Sequence, residues 1–146
     1  MKNLLPIGLV ILSMNCMAQQ SPQQMIDAFF TAYKKDAGKA VKELYQTNVW
    51  TERIKDDIEN VANKLNGFTL DYVGKYYGYE LITSKKFASS FELYSYLIKY
   101  DRQPIRFTFK FYKPDDKWVL YAFQFDDSFS TEIEEAAKLY NQDLDK

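Results

Sequence analysis

Between Ile105 and Tyr112 every second side chain is large and apolar: Ile105, Phe107, Phe109 and Phe111 alternate with Arg106, Thr108, Lys110 and Tyr112. A period of two places the first four on one face of a β-strand and the rest on its reverse. The flanking segments Phe91–Tyr100 and Trp118–Asp126 also alternate, and turn chemistry separates them from it: Asp101-Arg102-Gln103-Pro104 on one side, Lys113-Pro114-Asp115-Asp116-Lys117 on the other. Pairing Asp101 with Pro104 and Tyr112 with Trp118 puts Tyr94, Tyr96, Ile98 and Tyr100 on the same side as Val119, Tyr121, Phe123 and Phe125. The reverse then carries Leu93, Leu97, Arg106, Tyr112, Trp118 and Leu120. An aromatic face of this size has to be covered, so the helices that precede the strands are expected to pack on it.

Those helices are legible from their ends. Ser21 is a good N-cap, Pro22 suits the first helical position and Gln24 completes a capping box. Met25, Ile26, Phe29, Phe30 and Tyr33 then share one face. A second helix is expected over Lys39–Tyr45 and a third from about Thr51 to Leu65, closed by Asn66-Gly67 as a left-handed stop. Phe68–Val73 and Tyr77–Thr83 read as one long strand interrupted at Gly74 and Gly78. A last helix is expected near Thr131, capped with Glu134, with Ile133, Ala136, Ala137 and Tyr140 on one side as a docking or capping surface.

The start of the chain reads as an address. Met1-Lys2-Asn3 is followed by an apolar run, Leu4–Leu12, of about nine residues, against the roughly 20 that span a bilayer. With the small and polar stretch that follows, this is the pattern of a signal peptide over residues 1–18, cut after Ala18. Lipidation of Cys16, the single cysteine, is disfavoured by Asn15 before it. The expected product is a periplasmic or secreted single domain, residues 19–146, with no cysteine, no membrane span and a core that supplies its stability.

Charge and composition exclude more than they name. Of the 146 residues, 19 are Lys or Arg and 20 are Asp or Glu, so the basic footprint of a nucleic-acid binder is missing. There is no histidine, which removes the Ser-His-Asp triad, the Cys-His dyad and histidine-ligated metals. Asp115-Asp116 and Asp126-Asp127-Ser128 are oxygen-rich but lack the ligand spacing of a calcium loop. Neither a metal site nor a cofactor is expected.

Three helices followed by an interrupted, aromatic-rich antiparallel sheet resemble the nuclear transport factor 2-like (NTF2-like) fold over roughly Ser21 to Asp126. The resemblance rests on element order, on the Gly74/Gly78 interruption and on strand alternation. It implies an α+β fold in which a curved sheet wraps the first helix as a cone, here with an extra C-terminal helix. It also implies a pocket between helix and sheet, and dimerisation through the outer sheet face. Within that family the chain is similar to small exported bacterial members without an assigned activity. Its enzymes commonly use a His-Asp pair, which this chain cannot supply.

On that reading Trp50, Tyr79, Tyr94, Tyr96 and Tyr121 are expected around a cavity that takes a small apolar ligand, by apolar burial with tyrosine hydroxyls as polar tips. Leu97, Arg106, Tyr112, Trp118 and Leu120 are expected to form an outer face suited to a homodimer or another protein partner, with Arg106 placed to grip a carboxylate. Two alternatives stay open. One is a hydrolase or isomerase using Asp71, Glu80 or Asp126 with Tyr96 or Tyr121; the other is an assembly subunit with a filled core. Mass spectrometry of the exported protein is expected to read Gln19 as the mature N-terminus; a chain beginning at a lipidated Cys16 would contradict this.

Overall fold

Ser21 starts the first helix through a reciprocal cap. In the computed structural model, which describes residues 20–142, the Ser21 hydroxyl accepts from the Gln24 N–H at 3.3 Å and Gln24 Oε1 accepts from the Ser21 N–H at 2.8 Å. The expected signal segment, Cys16 and the side chain of Tyr140 lie outside the described residues. Helix α1 (Pro22–Tyr33) is followed by α2 (Ala37–Tyr45), a 3-10 segment (Val49–Ile54) that runs into α3 (Lys55–Asn66), and a single turn, α4 (Leu70–Val73). Strands β1 (Tyr76–Phe87), β2 (Phe91–Tyr100), β3 (Ile105–Tyr112) and β4 (Val119–Asp126) then form one antiparallel sheet in chain order, and α5 (Phe129–Gln142) ends the chain described. The fold is α+β, helices on a curved antiparallel sheet with a C-terminal helix. No helix among the described residues is long and apolar enough to cross a membrane.

The third helix expected from Thr51 begins as the 3-10 segment and turns α-helical only at Lys55, and the last starts at Phe129 rather than Thr131. Three further departures have local reasons. Phe68–Val73 is not strand, because Leu70–Val73 coils into α4 before Gly74 reverses the chain at φ +82°. Gly67 is right-handed at φ −71°; its N–H closes α3 on the Asn63 carbonyl. Asn66 instead reaches back to α2, where its Oδ1 accepts from the Gly38 N–H at 2.8 Å.

The third departure decides which residues face in. Strands β2 and β3 pair Ile98 with Ile105, and β3 and β4 pair Phe109 with Phe123. Each register is two residues from the one the turns suggest, a shift that preserves the faces. Between Lys110 and Phe111, however, β4 holds one extra residue: Lys110 lies opposite Ala122 and Phe111 opposite Leu120. Beyond this bulge the alternation inverts. Leu120, expected outside, is fully buried, Trp118 packs against the core, and Tyr121, expected inside, is 62% exposed.

Phe29 and Phe30 of α1 occupy the concave side of the sheet. Phe29 stands edge-on to Phe109 with ring centroids 5.1 Å apart, and Phe30 stacks on Tyr79 at 3.6 Å and 10°. Phe107, Phe109 and Phe123 interlock behind them, and Val41, Leu44, Ala62 and Leu65 extend the same core to α2 and α3. The free edge of β4 is closed by the link after α2. There the Thr47 hydroxyl accepts from the Leu120 N–H (3.1 Å) and Asn48 Nδ2 donates to the Leu120 carbonyl (2.9 Å). Two side chains thus stand in for a neighbouring strand and occupy groups that would otherwise invite edge pairing.

Gly74 and Gly78 both have positive φ, but only Gly74 is crowded: a Cβ there would lie 2.5 Å from Asp101 Cβ, whereas one at Gly78 meets nothing within 4 Å. Gly78→Ala is expected to cost about 1 kcal/mol of backbone strain and Gly74→Ala at least about 2 kcal/mol, read from denaturant midpoints. Equal losses would show that the Asp101 contact is not limiting.

Candidate functional site

Of the four tyrosines expected around an inner cavity, Tyr79, Tyr94 and Tyr96 pack with the core instead. Tyr79 stacks on Phe30, and Tyr96 is buried against Phe30 and Phe109, its hydroxyl donating to Gln23 Oε1 at 3.4 Å. Tyr94 donates to Glu92 at 2.7 Å, and burial, followed by that hydrogen bond, holds its phenol well above its ordinary value. Trp50 sits in the 3-10 segment, 67% exposed, with the Arg53 guanidinium 4.9 Å over its ring. Tyr121 is on the outer face beside Phe91, ring centroids 5.5 Å apart. The five residues therefore lie in three places and enclose no common space.

The candidate acid–base groups are dispersed as well. Glu80 pairs with Lys99 at 2.6 Å on the outer face, and Asp71 is exposed on α4. Arg106 forks to Asp126 (2.8 and 3.1 Å) and to both oxygens of Glu132 in α5 (2.7 and 2.8 Å). Arg106 thus does grip carboxylates, but those of its own chain, and the hydrogen bond from Arg106 holds the Glu132 carboxyl below its ordinary value. Glu92, which no sequence pattern marks, is the single buried acid among the described residues, held by Tyr94 and by Lys86 at 3.0 Å. Both of its partners are structural, and it lines none of the pockets described below. Among the described residues no three His, Cys, Asp or Glu side chains are grouped to hold a metal.

What the structure does offer is a groove at the end of the sheet where α4 turns into β1. Phe68, between α3 and α4, divides it, standing edge-on to Tyr100 at 6.3 Å on one side and to Phe125 at 5.5 Å on the other. The first half, about 240 Å³, is walled by Tyr33, Leu65, Phe68, Tyr76 and Tyr100, with Lys34 and Lys75 also lining it. The second, about 360 Å³, lies between Phe68, Tyr72, Ile105 and Phe125, beside Asp126 and Asp127. A latch holds the rim: Lys75 N–H donates to Asp101 Oδ2 (2.8 Å) and Arg102 N–H to the Val73 carbonyl (3.0 Å). Tyr33 and Tyr100 stand out in the sequence on the apolar faces of a helix and a strand. The sequence pattern places Phe68 and Tyr72 in a strand, which hides the concavity they make.

The first half carries three interacting phenols. Tyr33 and Tyr100 share a hydroxyl–hydroxyl hydrogen bond of 2.5 Å, while the Tyr76 hydroxyl is buried without any partner, alone in that respect among the described side chains. Burial pushes Tyr33 far above its ordinary value, with Tyr100 adding to it, and pushes Tyr76 up to about 12, with Tyr100 and Tyr79 adding. An unpartnered buried hydroxyl is costly, on the order of 1–3 kcal/mol, and is satisfied by any acceptor that enters. The groove therefore offers an apolar aromatic wall and a free hydroxyl donor to a small molecule with an acceptor group.

No family model, curated protein or solved structure matches this chain.

The three phenols set an alkaline limit. Their folded-state values are raised, so the stability they supply is complete below about pH 10, the ordinary tyrosine value, and is lost as pH rises through the folded values. Unfolding free energy is expected to fall steadily above about pH 10. Tyr76→Phe should flatten that fall and add about 1 kcal/mol at neutral pH by removing the unpartnered hydroxyl. A variant less stable than the parent at neutral pH would show that the hydroxyl has a partner in solution.

Proposed function

We propose that this chain is an exported, non-catalytic binding protein of the NTF2-like kind, whose ligand is a small, mainly apolar molecule seated in the groove that Phe68 divides. The observation that carries the reading is the aromatic groove itself: an open concavity lined by tyrosine and phenylalanine beside an unpartnered buried hydroxyl. The filled space between α1 and the sheet favours this peripheral site over an inner one. The dispersal of the carboxylates favours binding over hydrolysis or isomerisation.

Native mass spectrometry of mature protein, purified from its own envelope fraction, tests the reading. A retained mass of a few hundred daltons, lost on denaturation and lost in the Ala37→Leu variant that narrows the first half of the groove, is expected. A bare chain mass under every gentle condition would contradict it.

A second reading is favoured by the outer sheet face, on which Phe87 is 80% and Tyr121 62% exposed. Phe91, Leu93 and Tyr112 complete an aromatic patch across the four strands. Such a patch suits self-association. Trp118 and Leu120 do not belong to it, since the β4 bulge turns them inward.

A further inference from the structure

We propose that the partner of this aromatic patch is helix α5 of a second copy of the chain, each copy laying its α5 across the outer face of the other. The inference rests on the self-association reading and adds to it the element that does the covering.

Helix α5 has an apolar side that its own chain leaves bare. Phe129, Ile133, Ala136 and Ala137 recur at helical spacing, yet Ile133 is 66% exposed and no described residue from Ser130 onward is buried. A helix of 14 residues is marginal in water without a surface to pack on. Its base is fixed all the same, because the Arg106 fork holds Asp126 and Glu132 together.

That anchor also keeps Ile133 from its own patch. Arg106 and Tyr112 are at opposite ends of β3, about 20 Å apart by strand rise, and Ile133 is the neighbour of Glu132 on the Arg106 side. While the fork holds, the helix cannot set Ile133 on Tyr112, Phe91 and Phe87 of the same chain. A two-fold partner can, since it brings the same two surfaces together in the opposite sense.

Charge selects this occupant. The outward strand positions around the patch carry Lys85 and Lys110 and no acid, the nearest outward acids being Glu80 on Lys99 and Asp126 on Arg106. The adjoining turn is balanced, Asp115 and Asp116 against Lys113 and Lys117. Helix α5 presents Glu132, Glu134 and Glu135 against Lys138, and among the described residues neither Glu134 nor Glu135 forms an ion pair. An acidic amphipathic helix and a basic aromatic sheet face are thus both present, unpartnered, on one chain.

Sedimentation equilibrium of the mature chain tests this, with a variant ending at Ser128 and with charge reversals. The parent is expected to be a dimer and the shortened chain a monomer that still unfolds in one cooperative transition by circular dichroism. Lys110→Glu alone and Glu135→Lys alone should each weaken dimerisation about tenfold, and the double variant should restore it to within about twofold. A dimer that survives loss of α5, or charge reversals that do not compensate, would overturn the α5 assignment and leave self-association standing. A parent monomeric at all concentrations would overturn both.

Discussion

The stacking of Phe30 on Tyr79, with Phe29 set among Phe107, Phe109 and Phe123, is the contact from which the rest of the molecule follows. These rings join α1 to β1, β3 and β4 and occupy the concave side of the sheet. Aromatic side chains bury more area than any others, and Phe29 meets Phe107 and Phe109 in the favoured edge-on geometry while Phe30 lies face to face on Tyr79, so the core is set by shape as well as by hydrophobicity. Because these rings fill the space between α1 and the sheet, the groove that Phe68 divides lies at the rim of the concavity rather than inside it.

The periphery is organised by polar groups that tie distant segments together. Thr47 and Asn48 close the edge of β4, Asn66 joins α3 to the start of α2, and Asp101 latches the β2–β3 turn to the chain leaving α4. The same latch brings Phe68, Tyr72 and Tyr100 around one groove. Arg106, at the other end of β3 from the aromatic patch, fixes the first turn of α5 and so governs where that helix can reach.

Much of this was legible in the sequence. The Ser21-Pro22-Gln24 cap, the bounds of β2 and β3 and the inward set from Tyr94 to Phe111 follow from residue type and period alone. What was not legible is the single extra residue in β4. No glycine or proline marks it, and its effect is to exchange Tyr121 for Leu120 and to draw Trp118 inward. A bulge is decided by how β3 and β4 meet, and that is a property of two strands rather than one. Likewise Phe68–Val73 has strand-like composition, and only the reversal at Gly74 makes one helical turn the better way to bury Val73. The expected cavity failed because Tyr79 and Tyr96 were read without the α1 phenylalanines that pack on them.

A crystal of the mature chain under xenon pressure tests the filled concavity most directly, since xenon enters apolar voids and little else. No xenon is expected between α1 and the sheet. Xenon bound beside Phe30, Tyr96 and Phe109 would contradict it, and would return the ligand site to the interior.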